Sequence, residues 1–244
     1  MGRNPREAGR GKAGRTAGPR RARRRRVAPL SGGSPRAPLR PGFHLEPGMR
    51  VGVFGGSFNP AHAGHAHVTE TAMKRLGLDR VIWLVSPQNP LKSDRETAPL
   101  AARMAGAEAV APKGALVSDF ETRAGTRYTV DTLRALKARF PGVRFVWIMG
   151  ADNLAQFHRW RAWRHIARLV PIAVVARPGP EALKGRTSPF AQRFARARLP
   201  EHAAKGLSGA KAPAWAYLVA PLQAVSSTAI RARTAAKSTV PLAG

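Results

Sequence analysis

The 244-residue chain contains no cysteine, which excludes disulfide staples, thiol catalysis and zinc sites built on thiolates. Acidic residues are scarce: 13 Asp and Glu stand against 42 Lys and Arg, a formal charge of +29. No apolar run approaches the roughly 20 residues a membrane-crossing helix needs, so a soluble protein is expected; the lack of cysteine fits a reducing compartment, and a cytoplasmic location is expected. Two common nucleotide fingerprints are missing as well. There is no G-x-x-x-x-G-K-[ST], and "GVFGGS" does not fit G-x-G-x-x-G.

The charge that is present is uneven. Residues 1–48 hold 13 Lys and Arg beside 2 acids, including "RRARRRR" at Arg20 to Arg26. Set among Gly, Pro and Ala, this stretch has too little apolar surface to offset the entropy of ordering, so a disordered basic extension is expected there. Pro and Gly break "VAPLSGGSPRAPL" too often for a secretory signal, and they resist the amphipathic helix of a mitochondrial presequence. Such a tail suits nucleic acid or an anionic surface, or it is simply a solvated extension. Met49, two residues before the first candidate strand, offers an internal start. Residues 49–244 are then read as a single domain.

From Arg50 onward short apolar runs alternate with helical periodicity, the pattern of parallel βα units. Candidate strands are "VGVF" (51–54), "VIWLV" (81–85), "ALVSDF" (115–120), "RFVWIM" (144–149), "LVPIAVVA" (169–176) and "WAYLVA" (215–220). The clearest helix runs from Tyr128 to Phe140 and stops at Pro141–Gly142. Residues 178–212 are basic and Pro/Gly-punctuated, and are expected to be a surface excursion with one short helix near Phe190 to Ala197. The expected fold is α/β: an open, doubly wound parallel sheet with its ligand crevice at the carboxyl ends of the strands. No internal repeat is present.

The densest chemistry lies in "GGSFNPAHAGH", residues 55–65. Gly55 and Gly56 permit a positive-φ turn and a close approach of backbone to ligand. A helix beginning near His62 to Gly64 turns its free N–H groups toward the crevice, where phosphate binds well. His62 and His65 project from one side of its first turn, and Gly64 leaves room between them. A metal role for His62, His65 and His67 is the competing reading, weakened because only Glu70 is near in sequence. Late in the chain, Ser226, Ser227 and Thr228 in "VSSTAIR" are N-cap candidates, with Arg231 one turn further, a combination suited to polyphosphate or to plain capping. Asp152 follows a strand end, where a carboxylate accepts from ribose hydroxyls. Trp160 and Trp163 are read on one helix face, and Thr129 as a helix cap.

The early loop resembles the H-x-G-H signature of the nucleotidyltransferase superfamily, and its longer form is similar to the nicotinate-nucleotide adenylyltransferase family. "VSSTAIR", "SPQNPLK" (86–92), "RYTVDTL" (127–133) and "GADNLAQFHRWRAW" (150–163) match the same family, over about Arg50 to Arg231. Departures are Ala61, often Pro in the family, and Leu91, often His. The resemblance implies a Rossmann-like fold and adenylyl transfer from ATP to nicotinate mononucleotide, with His62 and His65 as the catalytic pair. It implies an ATP site from Gly55, Gly56, Ser57, Phe58, His62, Gly64, His65, Gly150, Asp152, Ser227, Thr228 and Arg231. Mg²⁺ would arrive with ATP, with no metal ligands from the protein. The mononucleotide would meet Lys92, Tyr128, Thr129 and Trp160, with Trp160 stacking on its pyridine and Trp163 left in the core. Alternatives are the same fold acting on nicotinamide mononucleotide, pantetheine phosphate or glycerol phosphate, or a basic nucleic-acid-binding protein. The sequence does not fix the oligomeric state.

Overall fold

The computed structural model describes residues 42–87, 97–176 and 185–220. All of them belong to the larger of two compact units, residues 38–244. Seven strands form one sheet: β1 (Arg50–Gly56), β2 (Arg80–Val85), β3 (Ala115–Ser118), β4 (Arg144–Gly150), β5 (Ile172–Ala176), β6 (Arg198–Leu199) and β7 (Trp215–Val219). Their order is β3-β2-β1-β4-β5-β7-β6, with every pairing parallel. Strands β1 to β3 step outward on one side and β4 onward on the other, so the order reverses between β1 and β4. In sheets of this kind ligands bind at that reversal, beyond the carboxyl ends.

The sheet is apolar on both faces because helices cover both. On one face Val51, Val53, Ile82, Leu84, Trp147 and Val174 pack under α4 (Thr129–Arg139) and α6 (Trp163–Leu169). On the other, Phe54, Trp83, Val146, Ile148 and Val175 pack under α1 (Ala63–Leu76). The remaining labelled helices are α2 (Leu100–Val110), α3 (Phe120–Ala124) and α5 (Ala151–Gln156).

Four expectations are corrected. Phe120 opens α3 instead of ending β3, because Gly125 in a left-handed conformation closes a short helix over the buried Phe120 ring. Leu169 ends α6, and β5 begins only at Ile172, after Pro171, which lacks the N–H a central strand needs. The described part of the expected surface excursion contributes to the core: Phe190 (1% exposed) and Leu207 (0%) are buried, and β6 adds an edge strand to β7. Finally, packing begins upstream of Met49. Phe43 stacks on Phe140 with centroids 5.4 Å apart, Leu45 is buried, and the Gly48 amide donates to the Gly142 carbonyl at 2.9 Å.

Candidate functional site

The crevice is visible in the strand ladders. Pairing of β1 with β4 stops at Phe54 and Ile148. Yet β1 stays paired to β2 through Gly56 and Val85, and β4 to β5 through Gly150 and Val175. The two central strands therefore part over their last two residues, each still held by its outer neighbour. Gly55 and Gly56 line one side of the gap, and Met149 and Gly150 the other.

Gly55 and Gly56 lie in the strand itself, and neither takes the expected positive φ. Glycine is needed at 55 because a Cβ there would stand 2.6 Å from Cη2 of Trp147. The left-handed turn falls on Phe58 instead, at φ 46. A non-glycine residue in that conformation costs about 1–3 kcal/mol. Burial of the ring (1% exposed), worth about 1.5–3 kcal/mol, offsets most of this, and a stack on Trp83 at 4.9 Å and 13° adds to it. Trp83 is fixed in turn: its Nε1–H donates to the Thr69 hydroxyl at 2.8 Å, and that hydroxyl donates to the His65 carbonyl at 3.0 Å. The turn and the first turn of α1 are thus built on one aromatic base.

His62 is the N-cap of α1, with extended backbone. Its Nδ1 accepts from the Gly64 amide at 3.0 Å, and His65 Nδ1 accepts from the His62 amide at 3.2 Å, a reciprocal capping box made by two imidazoles. A backbone N–H can only donate, so both Nδ1 atoms carry lone pairs and the neutral rings hold their protons on Nε2. Each ring therefore carries its proton on Nε2, and the centroids are 4.0 Å apart. No acidic residue occupies the first turn of this 14-residue helix. Imidazole N–H groups beside the positive end of a helix dipole are chemistry suited to an anion.

Across the gap, Asp152 sits in the first turn of α5, and its carboxylate folds back over Gly150, where a Cβ would overlap Oδ1. Tyr128 is the N-cap of α4, and it makes no side-chain cap bond; Thr129 is the first helical residue, so its expected capping role is not found. Trp160 and Trp163 do not share a helix. A 3-10 turn (Phe157–Arg159) ends at Trp160, and Ala162 in a left-handed conformation separates it from α6. Trp160 is half-buried, edge-on to Trp147 and Phe157, whereas Trp163 packs on Phe157, Phe190 and Phe194. The guanidinium of Arg161 lies 4.5 Å over the Tyr128 ring, joining the Trp160 segment to the start of α4. Lys92, Ser227, Thr228 and Arg231 lie outside the described residues.

Two buried charged residues were not anticipated from sequence. Arg103 (3% exposed) donates to the carbonyls of Ala98, Ser57, Ser86 and Pro87 at 2.7–2.9 Å, and burial lowers its pKa. Glu121 (6% exposed) accepts from the Ser86 hydroxyl at 2.6 Å and from Thr132 at 3.1 Å. Burial raises its pKa, against the pull of those two hydrogen bonds. Among the described residues, no group of three or more His, Asp or Glu side chains is arranged to hold a metal ion, and no helix is long and apolar enough to cross a membrane.

A parallel sheet that splays between its central strands, with a histidine-capped helix following the first of them, fits an α/β nucleotidyltransferase fold, and residues 53–233 match the cytidylyltransferase-like family. A protein of Caulobacter sp. (strain K31) named probable nicotinate-nucleotide adenylyltransferase is 67% identical over 186 residues, 76% of this chain and 98% of its own length. One of the same name from Roseobacter denitrificans is 54% identical over 80% of this chain and 98% of its own. The chain belongs to the nicotinate-nucleotide adenylyltransferase family. A solved Plasmodium falciparum nicotinic acid mononucleotide adenylyltransferase, complexed with NaAD, matches at a TM-score of 0.55 and 15% identity, over 75% of this chain and 82% of that one. At that identity the likeness speaks for the fold alone.

Proposed function

We propose that the chain joins the adenylyl group of ATP to nicotinate mononucleotide, releasing pyrophosphate and forming nicotinate adenine dinucleotide, in the cytoplasm. The observation that carries this reading is the His62–His65 capping box, two imidazoles with their protons on Nε2 at the start of α1, where β1 and β4 part. The 5′-phosphate of the mononucleotide attacks the α-phosphorus of ATP and pyrophosphate leaves. Such transfers depend on positioning and charge stabilisation. His65 donates to the α-phosphate oxygens as negative charge builds there, and His62 assists while holding the start of α1. Asp152 accepts from ribose hydroxyls. Tyr128, Thr129 and Trp160 receive the mononucleotide, Trp160 by stacking. Lys92 is assigned to substrate phosphate, and Ser227, Thr228 and Arg231 to the departing pyrophosphate, on the family's motif alone.

Magnesium enters with the nucleotide in this reading. This cation usually keeps several waters and few protein ligands, so it is assigned to phosphate oxygens and water. Its role is to neutralise phosphate charge.

The test is pyrophosphate release by the purified full chain with Mg²⁺-ATP and either nicotinate or nicotinamide mononucleotide. Turnover with the acid, at a kcat/KM at least about tenfold above that with the amide, is expected. Preference for the amide would change the acceptor, and no release with either would end the proposal.

A further inference from the structure

Arg103 has no part in the chemistry above, yet it is the most heavily bonded side chain beside the site. Its guanidinium reaches three separate segments. Ser57 belongs to the loop after β1; Ser86 and Pro87 follow β2; Ala98 precedes α2. Pro87 and Ala98, eleven positions apart in sequence, are thus held by one side chain. Among the described residues it makes no ion pair, and carbonyl oxygens are its only partners. A buried guanidinium is tolerated only when its N–H groups are satisfied, and here backbone carbonyls of three segments satisfy them.

We infer that Arg103 is a positioning residue that, through the carbonyls of Ser57 and Ser86, sets the loop carrying Phe58 and the His62–His65 pair against the loop after β2. Ser86 is the junction. Its amide donates to the Gly56 carbonyl at 3.0 Å, its carbonyl accepts from Arg103, and its hydroxyl donates to Glu121. Glu121 in turn meets Thr132, whose hydroxyl also reaches the Tyr128 carbonyl at 3.2 Å. One chain of bonds therefore runs from the histidine loop to the start of α4, the two places assigned to ATP and to the mononucleotide. Electrostatics gives the guanidinium a second effect. Carbonyl oxygens at the end of β1 and β2 would repel an anion bound nearby, and Arg103 holds three of them on itself. A lysine reproduces the charge but not the planar fork that spans four acceptors.

The activity half of this inference rests on the adenylyl-transfer reading; the loop half does not. The experiment uses full-length Arg103→Met and Arg103→Lys, followed by hydrogen exchange and by pyrophosphate release. In Arg103→Met, amides of residues 56–59, 61, 62 and 86 are expected to exchange about tenfold faster or more, while β4 and β5 keep wild-type protection. Its kcat should fall roughly tenfold or more with the KM for ATP changed less than about threefold, the pattern of a lost transition-state arrangement. Arg103→Lys should lie between in both measurements, and it carries the same comparison if the methionine variant does not fold. Unchanged loop exchange in a folded variant overturns the inference, as does faster loop exchange with wild-type kcat. If wild-type protein releases no pyrophosphate, the functional reading fails, and loop exchange alone decides whether Arg103 sets the loops.

Discussion

At the amino edge of the sheet, Gly77 closes α1 in a left-handed turn, and Asp79 meets Arg50 at 2.9 Å in an ion pair whose side chains are 36% and 38% exposed. At the carboxyl edge the same helix is capped by two histidines, Phe58 is held in a left-handed turn, and Arg103 and Glu121 are buried with bonds to neighbouring loops. Both edges solve the same problem of reversing the chain. Only one does so with buried charge and backbone strain, each of which costs stability locally. Strain and buried charge concentrated at one edge are what a functional site needs and a plain turn does not.

The sharpest test of that asymmetry is His65→Ala. Half of the capping box survives through His62 and Gly64, so the stability loss should be about 1 kcal/mol. The kcat for pyrophosphate release should fall about 10²-fold, as when one transition-state donor is deleted. Thermal melts beside steady-state kinetics measure both. A folded variant with wild-type kcat would remove His65 from the mechanism. Trp160→Ala comes next, with KM for the mononucleotide raised roughly tenfold and KM for ATP much less, the size expected from losing one stacking surface. Equal rises for both substrates would assign Trp160 to packing against Trp147 and Phe157.

Glu121→Gln probes the buried carboxyl through pH. Burial raises the folded-state pKa of Glu121, so the folded chain holds its proton over a range where the unfolded chain has lost it. Wild-type stability should then decline as pH rises from the ordinary carboxylate range through the raised folded value, and level off above it. The hydrogen bonds from Ser86 and Thr132 favour the ionised form, and burial outweighs them. Glutamine, neutral throughout, should flatten this part of the profile, followed by urea unfolding at several pH values. A parallel decline in the variant would place its origin elsewhere.

Legibility followed the same division. The sheet could be read from local composition, because "VGVF", "VIWLV" and "RFVWIM" are buried on both faces and look continuous in sequence. His62 and His65 were readable because their relation is local: three residues apart, they share a helix turn wherever the helix goes. The positive φ expected at Gly55 is absent; a steric reason for glycine there is Trp147, 92 positions away, and no local pattern announces that contact. Arg103 looks like a solvated helix residue in "LAARMAGAEAV"; only the folded chain brings four carbonyls from three segments to it. Trp160 and Trp163 misled through their spacing, because the left-handed Ala162 breaks the helix that the spacing assumed.

The smallest expected effect belongs to the amino edge, and it completes the contrast. Arg50→Ala removes the side-chain half of the pair, while the Arg50 backbone amide still donates to Asp79 Oδ2 at 2.7 Å. Hydrogen bonding from the Arg50 side chain, and then from its amide, lowers the pKa of Asp79, so this carboxylate adds stability at neutral pH that is lost as pH falls through its depressed folded value. Removing the guanidinium should leave turnover within about twofold of wild type and produce only a slight, salt-screened loss of stability, because both partners stand in water. The acid limb of the stability profile should become shallower without vanishing, since the amide bond remains. Kinetics with acid titration of unfolding measures both expectations. A large fall in kcat here would mean that the amino edge communicates with the crevice through the length of β1, and the two edges could no longer be treated as independent.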